Sequence, residues 1–502
     1  MFYTKPMLYK NVKSLKLNFT AFSKSMYTET DDELMPFKRA KISFNFNVKN
    51  GALTDGFGFE NLKLPKTSTN LSDERQIVTP GTNIKKVWHF KYFDQSLKKP
   101  AHQLLLYCEG GQIYWAKFYS IDPFASPVAT TTLYPNAIPN ALNYRLNGVD
   151  YMIFSSSQDG MWLHTQNTQI SKVDNAPEIV SMCIHYERLF AIVAGEQNRL
   201  AFSDDFDPTN WSQSLTEGGF IEMLDERGKL TKVLSFNDYV YVFREFGVAR
   251  VSAYGDQNDF SVSQLFVSGI KMYGNTVCAC GDSIMLLTKD GLNVFNGYST
   301  KKLQLGIDKL FENVENDNAV AIFYEGKYLL ACRLNFDDDR QIGCEAAEGG
   351  YVNNALIEYE LSSGELSITR GVDIASMTVL DDGNVSKVVA CFNGEHSTKL
   401  GQLTNDSTVF GTALKKVWVS PKSAFGYPGK IKHIKDCIIK TKTKCTLTIV
   451  TDDKVKKFNI LGSEKSQRIR LGSFGEQIEI AFETDSKNAS ISAPQIRVNV
   501  SG

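Results

Sequence analysis

Proline is scarce, 14 in 502 residues, which excludes a proline-rich stalk. No apolar run approaches the roughly 18 residues that a membrane-crossing helix needs. Apolar runs such as Leu104-Leu105-Leu106-Tyr107 and Ile284-Met285-Leu286-Leu287 are strand-sized. Lys5, Lys10, Lys13 and Lys16 interrupt the first 20 residues, so the secretory h-region is missing too. The expectation is a chain made and kept in a reducing cytosol, or released only by lysis. The nine cysteines are odd in number and scattered, unlike a disulfide framework. They read as buried free thiols, and Cys278-Ala279-Cys280 is too tight for a zinc knuckle. Charge of one sign is also lacking: 55 Lys+Arg meet 56 Asp+Glu, which argues against a surface that coats nucleic acid all over.

Motifs that carry chemistry are missing as well. No P-loop or dinucleotide fingerprint occurs, and Gly56-Phe57-Gly58-Phe59-Glu60 is a glycine-permitted turn with no helix after it. Ser157-Gln158-Asp159-Gly160-Met161-Trp162 has the wrong spacing for a sialidase Asp-box and reads as a hairpin turn. The acidic clusters Asp204-Asp205-Phe206-Asp207 and Asp337-Asp338-Asp339 miss the calcium-loop spacing. Six histidines are dispersed, and no G-x-S-x-G elbow occurs. The sequence therefore designates no catalytic, cofactor-binding or metal residue, and the reading is a protein that is not an enzyme.

What is present is a repeat. Hydrophobic residues make up 42% of the chain, enough to bury a real core, and aromatics 12%, which favours strands. Seven times, a strand-length apolar run meets a short polar turn and a second run. These hairpins start at His102, Asp150, Arg188, Asp238, Asp282, Lys327 and Lys387. Successive starts are 48, 38, 50, 44, 45 and 60 residues apart, and the outlier holds a polar insertion, residues 337–354. A period of about 40–50 residues with one hairpin per unit is the signature of a β-propeller. The reading is an all-β chain with a propeller of six or seven blades over residues 85–413. A pair of β-sandwiches is the runner-up, and such folds do not repeat at this period. The one helix expected is residues 306–314, where Ile307, Leu310, Phe311 and Val314 share a face.

The ends differ. Residues 1–84 form a β-rich N-terminal segment with the turn Lys49-Asn50-Gly51, and 414–502 read as a C-terminal β-sandwich. Residues 415–470 hold 15 Lys+Arg against 4 Asp+Glu. Lys430, Lys432, Lys435, Lys440, Lys442 and Lys444 recur at largely even spacing, which strand geometry would place on one face. Such a face is a solvated surface, a contact for an acidic partner, or a DNA-phosphate contact.

Several stretches together resemble a known family. Phe202-Ser203-Asp204-Asp205-Phe206-Asp207-Pro208-Thr209-Asn210-Trp211 is one, and Val87-Trp88-His89-Phe90 leading into residues 104–114 is another. Ser423-Ala424-Phe425-Gly426-Tyr427-Pro428-Gly429-Lys430, Ile491-Ser492-Ala493-Pro494 and Asn50-Gly51-Ala52-Leu53 complete the set. From about residue 34 to the end, the chain resembles the tailed-bacteriophage packaged-DNA stabilisation or tail nozzle (tail tubular) proteins. The insertion at 337–354 departs from that pattern. The resemblance implies a virion structural protein of the phage neck or tail. It would form a homo-oligomeric ring, expected to be a hexamer, below the portal and adaptor. That ring would extend the DNA channel, help retain the genome and meet packaged DNA in its lumen. A propeller that binds or cleaves host glycans is the alternative.

Overall fold

The computed structural model describes residues 13–18, 21–23, 25–28, 35, 37, 39–119, 133–135, 137–166, 170–212, 218–224, 227–336, 345–452 and 454–500. Each of the seven hairpins supplies two adjacent strands of a separate antiparallel sheet, so the blade count is seven. Blade 1 holds Ile84–Asp94, Lys99–Cys108 and Ile113–Lys117 among the described residues. Blades 2 to 6 have four strands each and begin with the inner strands Asn140–Leu146, Ile179–His185, Leu230–Phe236, Cys278–Cys280 and Val320–Tyr324. Blade 7 runs from Ile374–Asp381 through Ser386–Phe392 to Leu400–Thr404. Its fourth strand comes from far upstream: Gly58–Asn61 pairs antiparallel with Leu400–Thr404.

Burial on both faces explains the continuous apolar runs. Successive side chains on a strand point to opposite faces. Leu104, Leu106 and Cys108 therefore pack against blade 7, while Leu105 and Tyr107 pack against blade 2. Tyr328, Leu330 and Cys332 face blade 5, and Leu329 and Ala331 face blade 7. Seven such apolar seams, one between each neighbouring pair of blades, close the ring. Tight turns set the register. Asn147 and Gly148 both have positive φ, 49° and 78°, and join Leu146 to its partner Val149 in a two-residue hairpin turn.

The C-terminal residues form a sandwich. One sheet runs in the order Ile42–Phe44, Lys416–Val419, Ile478–Thr484, Cys445–Thr451, Lys454–Ile460. The other runs Lys13–Asn18, Gln495–Val500, Lys432–Ile439, Gln467–Gly475. Trp418, Leu447, Ile480, Phe482, Ile434 and Val498 fill the space between them.

The segment 1–84 is shared between the two bodies. Ile42–Phe44 belongs to the sandwich and Gly58–Asn61 to the propeller. Between these strands, the predicted turn at Asn50 and Gly51 joins the hairpin Phe46–Lys49 and Ala52–Asp55.

Two local expectations change. Residues 306–314 form only a short 3-10 turn, Asp308–Phe311, rather than an α-helix. Leu310 and Phe311 are buried as the pattern required, but Gly306 with φ 72° and Asn313 with φ 60° break a longer helix at both ends. In the insertion, Glu345–Glu348 is a single helical turn, and Asp337-Asp338-Asp339 and Cys344 lie outside the described residues. The eight described cysteines are all free thiols.

Candidate interaction surface and the junction that carries it

The six sequence-designated lysines do not share a face. Lys435 occupies a β-bulge, where the register shifts between Ile434 and Asp436 against both neighbouring strands, and the strand itself ends at Ile439. A bulge inserts one unpaired residue and reverses the side-chain phase beyond it. Lys432 is fully buried, and its ammonium donates to the carbonyls of Tyr427 and Glu476. Lys430 is exposed at a turn. Lys440 pairs with Glu464 at 3.5 Å and Lys444 with Asp485 at 3.4 Å. Lys442 lines a polar cleft of about 650 Å³ that also includes Lys327 and Glu360.

A different basic surface takes shape where two edge strands lie side by side. Gln467–Gly475 is the edge of one sheet and Lys454–Ile460 the edge of the other. The Lys456 ammonium bridges them, donating to the Gly472 carbonyl at 2.6 Å. Arg468, Arg470, Gly472 and Phe474 share the outward phase of the first strand. Lys454, Val455, Lys456 and Lys457 are all exposed on the second. At the centre, Phe474 is 57% exposed and stacks on His433, with ring centroids 4.1 Å apart and planes 7° apart. Burial, then the nearby charges of Lys435 and Lys456, depress the pKa of His433 below its ordinary 6.5. An exposed aromatic ring amid cations is the kind of anchor that interfaces use. Lysines along open edges also keep strands from pairing at random.

The sandwich is tied to the propeller by polar groups. Asn45 is buried with φ 61°. Its side chain donates to the Lys415 carbonyl at 2.8 Å and accepts from the Arg370 N–H at 2.8 Å, joining the start of the sandwich to blade 6. A Cβ on Gly56 would lie 2.8 Å from the Asn45 carbonyl oxygen, so the close approach there requires glycine. Next to it, fully buried Lys416 meets Asp55 at 3.3 Å. Lys416 also donates to the Ser486 carbonyl at 2.9 Å, and Asp55 accepts from the Ala489 N–H at 3.1 Å. Burial pushes the Asp55 carboxyl up and the Lys416 ammonium down, while their mutual attraction opposes both shifts.

The chemical candidates of the sequence have structural employment. The Asp204 carboxylate accepts from the Asp205 N–H and the Asn210 amide, and Asp207 accepts twice from Thr209. No group of three or more metal-ligating side chains forms among the described residues. At the seam of blades 1 and 7, His89 Nδ1 accepts from the Asp381 N–H, so its Nε2–H donates to His102 Nδ1 at 2.9 Å. Burial, then the His102 ring and Lys91, pull the His89 pKa down to about 3.

Seven radially packed antiparallel sheets closed by an upstream strand define a seven-bladed β-propeller carrying a β-sandwich. No family model and no curated protein matches the sequence. Solved structures similar to it include the computationally designed Ika8 protein, at 9% identity and a TM-score of 0.38, covering 65% of this chain and 97% of that one. BBS1N in complex with ARL6DN is similar at 9% identity and a TM-score of 0.42, covering 65% and 93%. The Neurospora crassa Pan2 WD40 domain is similar at 10% identity and a TM-score of 0.36, covering 60% and 85%. No described helix is long and apolar enough to cross a membrane.

Proposed function

We propose that the protein is a non-catalytic structural component of a bacteriophage neck or tail. Copies array as a homo-oligomeric ring, a hexamer, beside the portal and adaptor, and the ring continues the DNA channel and helps hold the packaged genome. The family assignment rests on the sequence resemblance. The observation that carries the mechanical role is the threaded junction: residues 42–61 cross from sandwich to propeller and pair with strands of both. Such threading makes one stiff block of two bodies, and blocks arrayed by head-to-tail contacts close into a ring when the rotation permits. The flank around Phe474, His433, Lys435 and Lys456 is the surface offered to an acidic neighbouring subunit or connector protein.

The test is negative-stain electron microscopy of the purified chain, alone and with the connector, beside Phe474→Ala and Lys435→Glu/Lys456→Glu. Rings or connector-bound collars that the variants weaken are expected. Monomers that ignore the connector, or that release sugar from host glycans, overturn the reading in favour of a glycan-directed propeller.

A further inference from the structure

A second exposed aromatic surface lies on the propeller itself. In an antiparallel blade, the connections from first to second strand and from third to fourth emerge at the same end. In blades 3, 4 and 5 these connections are residues 186–187 and 203–218, 237–238 and 253–260, and 281–282 and 296–299. Ring contacts join them across the blade boundaries. Tyr186 of blade 3 meets Tyr254 of blade 4 edge-on, with centroids 5.3 Å apart. The Arg250 guanidinium of blade 4 lies 4.3 Å from the Tyr239 centroid and 5.3 Å from that of Tyr298 in blade 5. His185 Nδ1 and Ser235 Oγ bond at 2.9 Å, which holds the turns of blades 3 and 4 side by side. Tyr254 is 75% exposed, Tyr298 67% and Tyr186 44%. Rings this open add little to the seams between blades, and tyrosine is enriched where proteins meet.

The charge around the rings is of one sign. The described residues of these six connections hold eight Asp or Glu and no Lys or Arg. Glu187, Asp238, Asp256 and Asp282 among them are exposed. Arg250 belongs to the strand Gly247–Ser252 and is half-buried against its two rings. Carboxylates gathered on one face repel one another, and a cationic partner removes that cost.

The chain carries the complement. Strands Lys454–Ile460 and Gln467–Gly475 hold five Lys or Arg and no Asp or Glu, around exposed Phe474. They belong to the sandwich, which is tied to the propeller at blades 6 and 7. One surface offers an apolar ring among cations, and the other offers apolar rings among anions.

We propose that the tyrosine face of blades 3 to 5 receives the basic flank of a second copy of this chain. The inference rests on the ring reading and names its subunit contact. Phe474 enters among Tyr186, Tyr254 and Tyr298, and the lysines and arginines beside it meet the carboxylates. The rings anchor the contact, while the charges speed encounter and reject wrong registers. Because the two patches differ, each bound copy leaves one patch of each kind for the next, until the circle closes.

The experiment follows assembly by analytical ultracentrifugation. Glu187→Lys/Tyr254→Ala/Asp282→Lys removes the acidic face, and Lys454→Glu/Lys457→Glu/Phe474→Ala removes the basic flank. Wild-type chain should assemble, and each variant alone should stay monomeric. An equimolar mixture of the two should give one-to-one dimers and nothing larger, since each partner keeps a single working surface. Raising the salt should weaken wild-type assembly by about tenfold or more, a readout that needs no variant. A variant that assembles alone as wild type does overturns the proposal. So do a mixture that stays monomeric, wild-type assembly indifferent to salt, and a wild-type chain that is monomeric by itself. Connector-bound collars that both variants still form would overturn this contact and leave the ring reading standing. Monomers that ignore the connector would remove both.

Discussion

The seams between blades and the junction between propeller and sandwich solve one problem with opposite chemistry. A seam buries apolar side chains in alternation, as Leu105 and Tyr107 do on one side of a strand and Leu104 and Leu106 on the other. The junction buries an amide, a lysine and an aspartate, each held by named partners. Apolar packing is non-directional and tolerates small slips. Buried polar groups penalise every arrangement except the one that satisfies them all. The ring therefore gains strength from repetition, and the sandwich gains a fixed angle from specificity.

The sharpest way to break this contrast is to remove one charge. Lys416→Met leaves Asp55 buried without its cation and should cost about 3–5 kcal/mol. Asp55→Asn/Lys416→Met should recover most of that loss. Leu105→Ala, at a seam, should cost about 2–5 kcal/mol with no second-site rescue of this kind. Guanidinium unfolding of the four chains checks the difference, and a double variant as unstable as the single would place the junction's worth in packing.

A smaller effect is expected at the seam of blades 1 and 7. The folded pKa of His89 is depressed to about 3, so the folded chain resists a proton that the unfolded chain takes up near 6.5. Its stabilising contribution is full above pH 6.5 and is lost as pH falls toward 3. Between pH 6.5 and 4.5 the loss should be about 2–3 kcal/mol. His89→Asn should flatten that part of the stability–pH curve relative to wild type, and an unchanged slope would assign the acid sensitivity elsewhere.

The smallest effect on stability belongs to the exposed flank. Phe474→Ala should change unfolding free energy by no more than about 0.5 kcal/mol, as surface substitutions do. A fall in connector binding of tenfold or more, with Tm unchanged, would mark Phe474 as a contact rather than a packing residue.

The seven hairpins were legible because the middle strands are buried on both faces and so read as unbroken apolar runs. Other strands were not. Cys278–Cys280 is three residues long, Ser261–Val267 is mostly exposed, and Gly58–Asn61 contains too little apolar sequence to announce a partner in blade 7. Blade number stayed open because one of the seven hairpins could have belonged to a flanking domain. The lysine face failed on one residue, since the bulge at Lys435 cancels the period of two on which the argument stood. The His433–Phe474 stack joins residues 41 positions apart, beyond any local rule. Its signal was nonetheless present: Arg468, Arg470 and Phe474 fall in one phase of a strand whose other phase holds Ile469, Leu471 and Ser473.

Closure of the ring by Gly58–Asn61 also sets a timetable for synthesis. Glu60 and its partner Gln402 are 342 positions apart. At about 5–20 residues per second, the early strand waits roughly 17–70 s on the ribosome for the strand it will join. Until then its hydrogen-bonding edge is open, and so is the last blade's place in the circle. A chain cut short before blade 7 keeps both adhesive surfaces exposed, whereas a finished chain conceals them in one event. The molecule thus withholds its finished shape until the last blade has been translated.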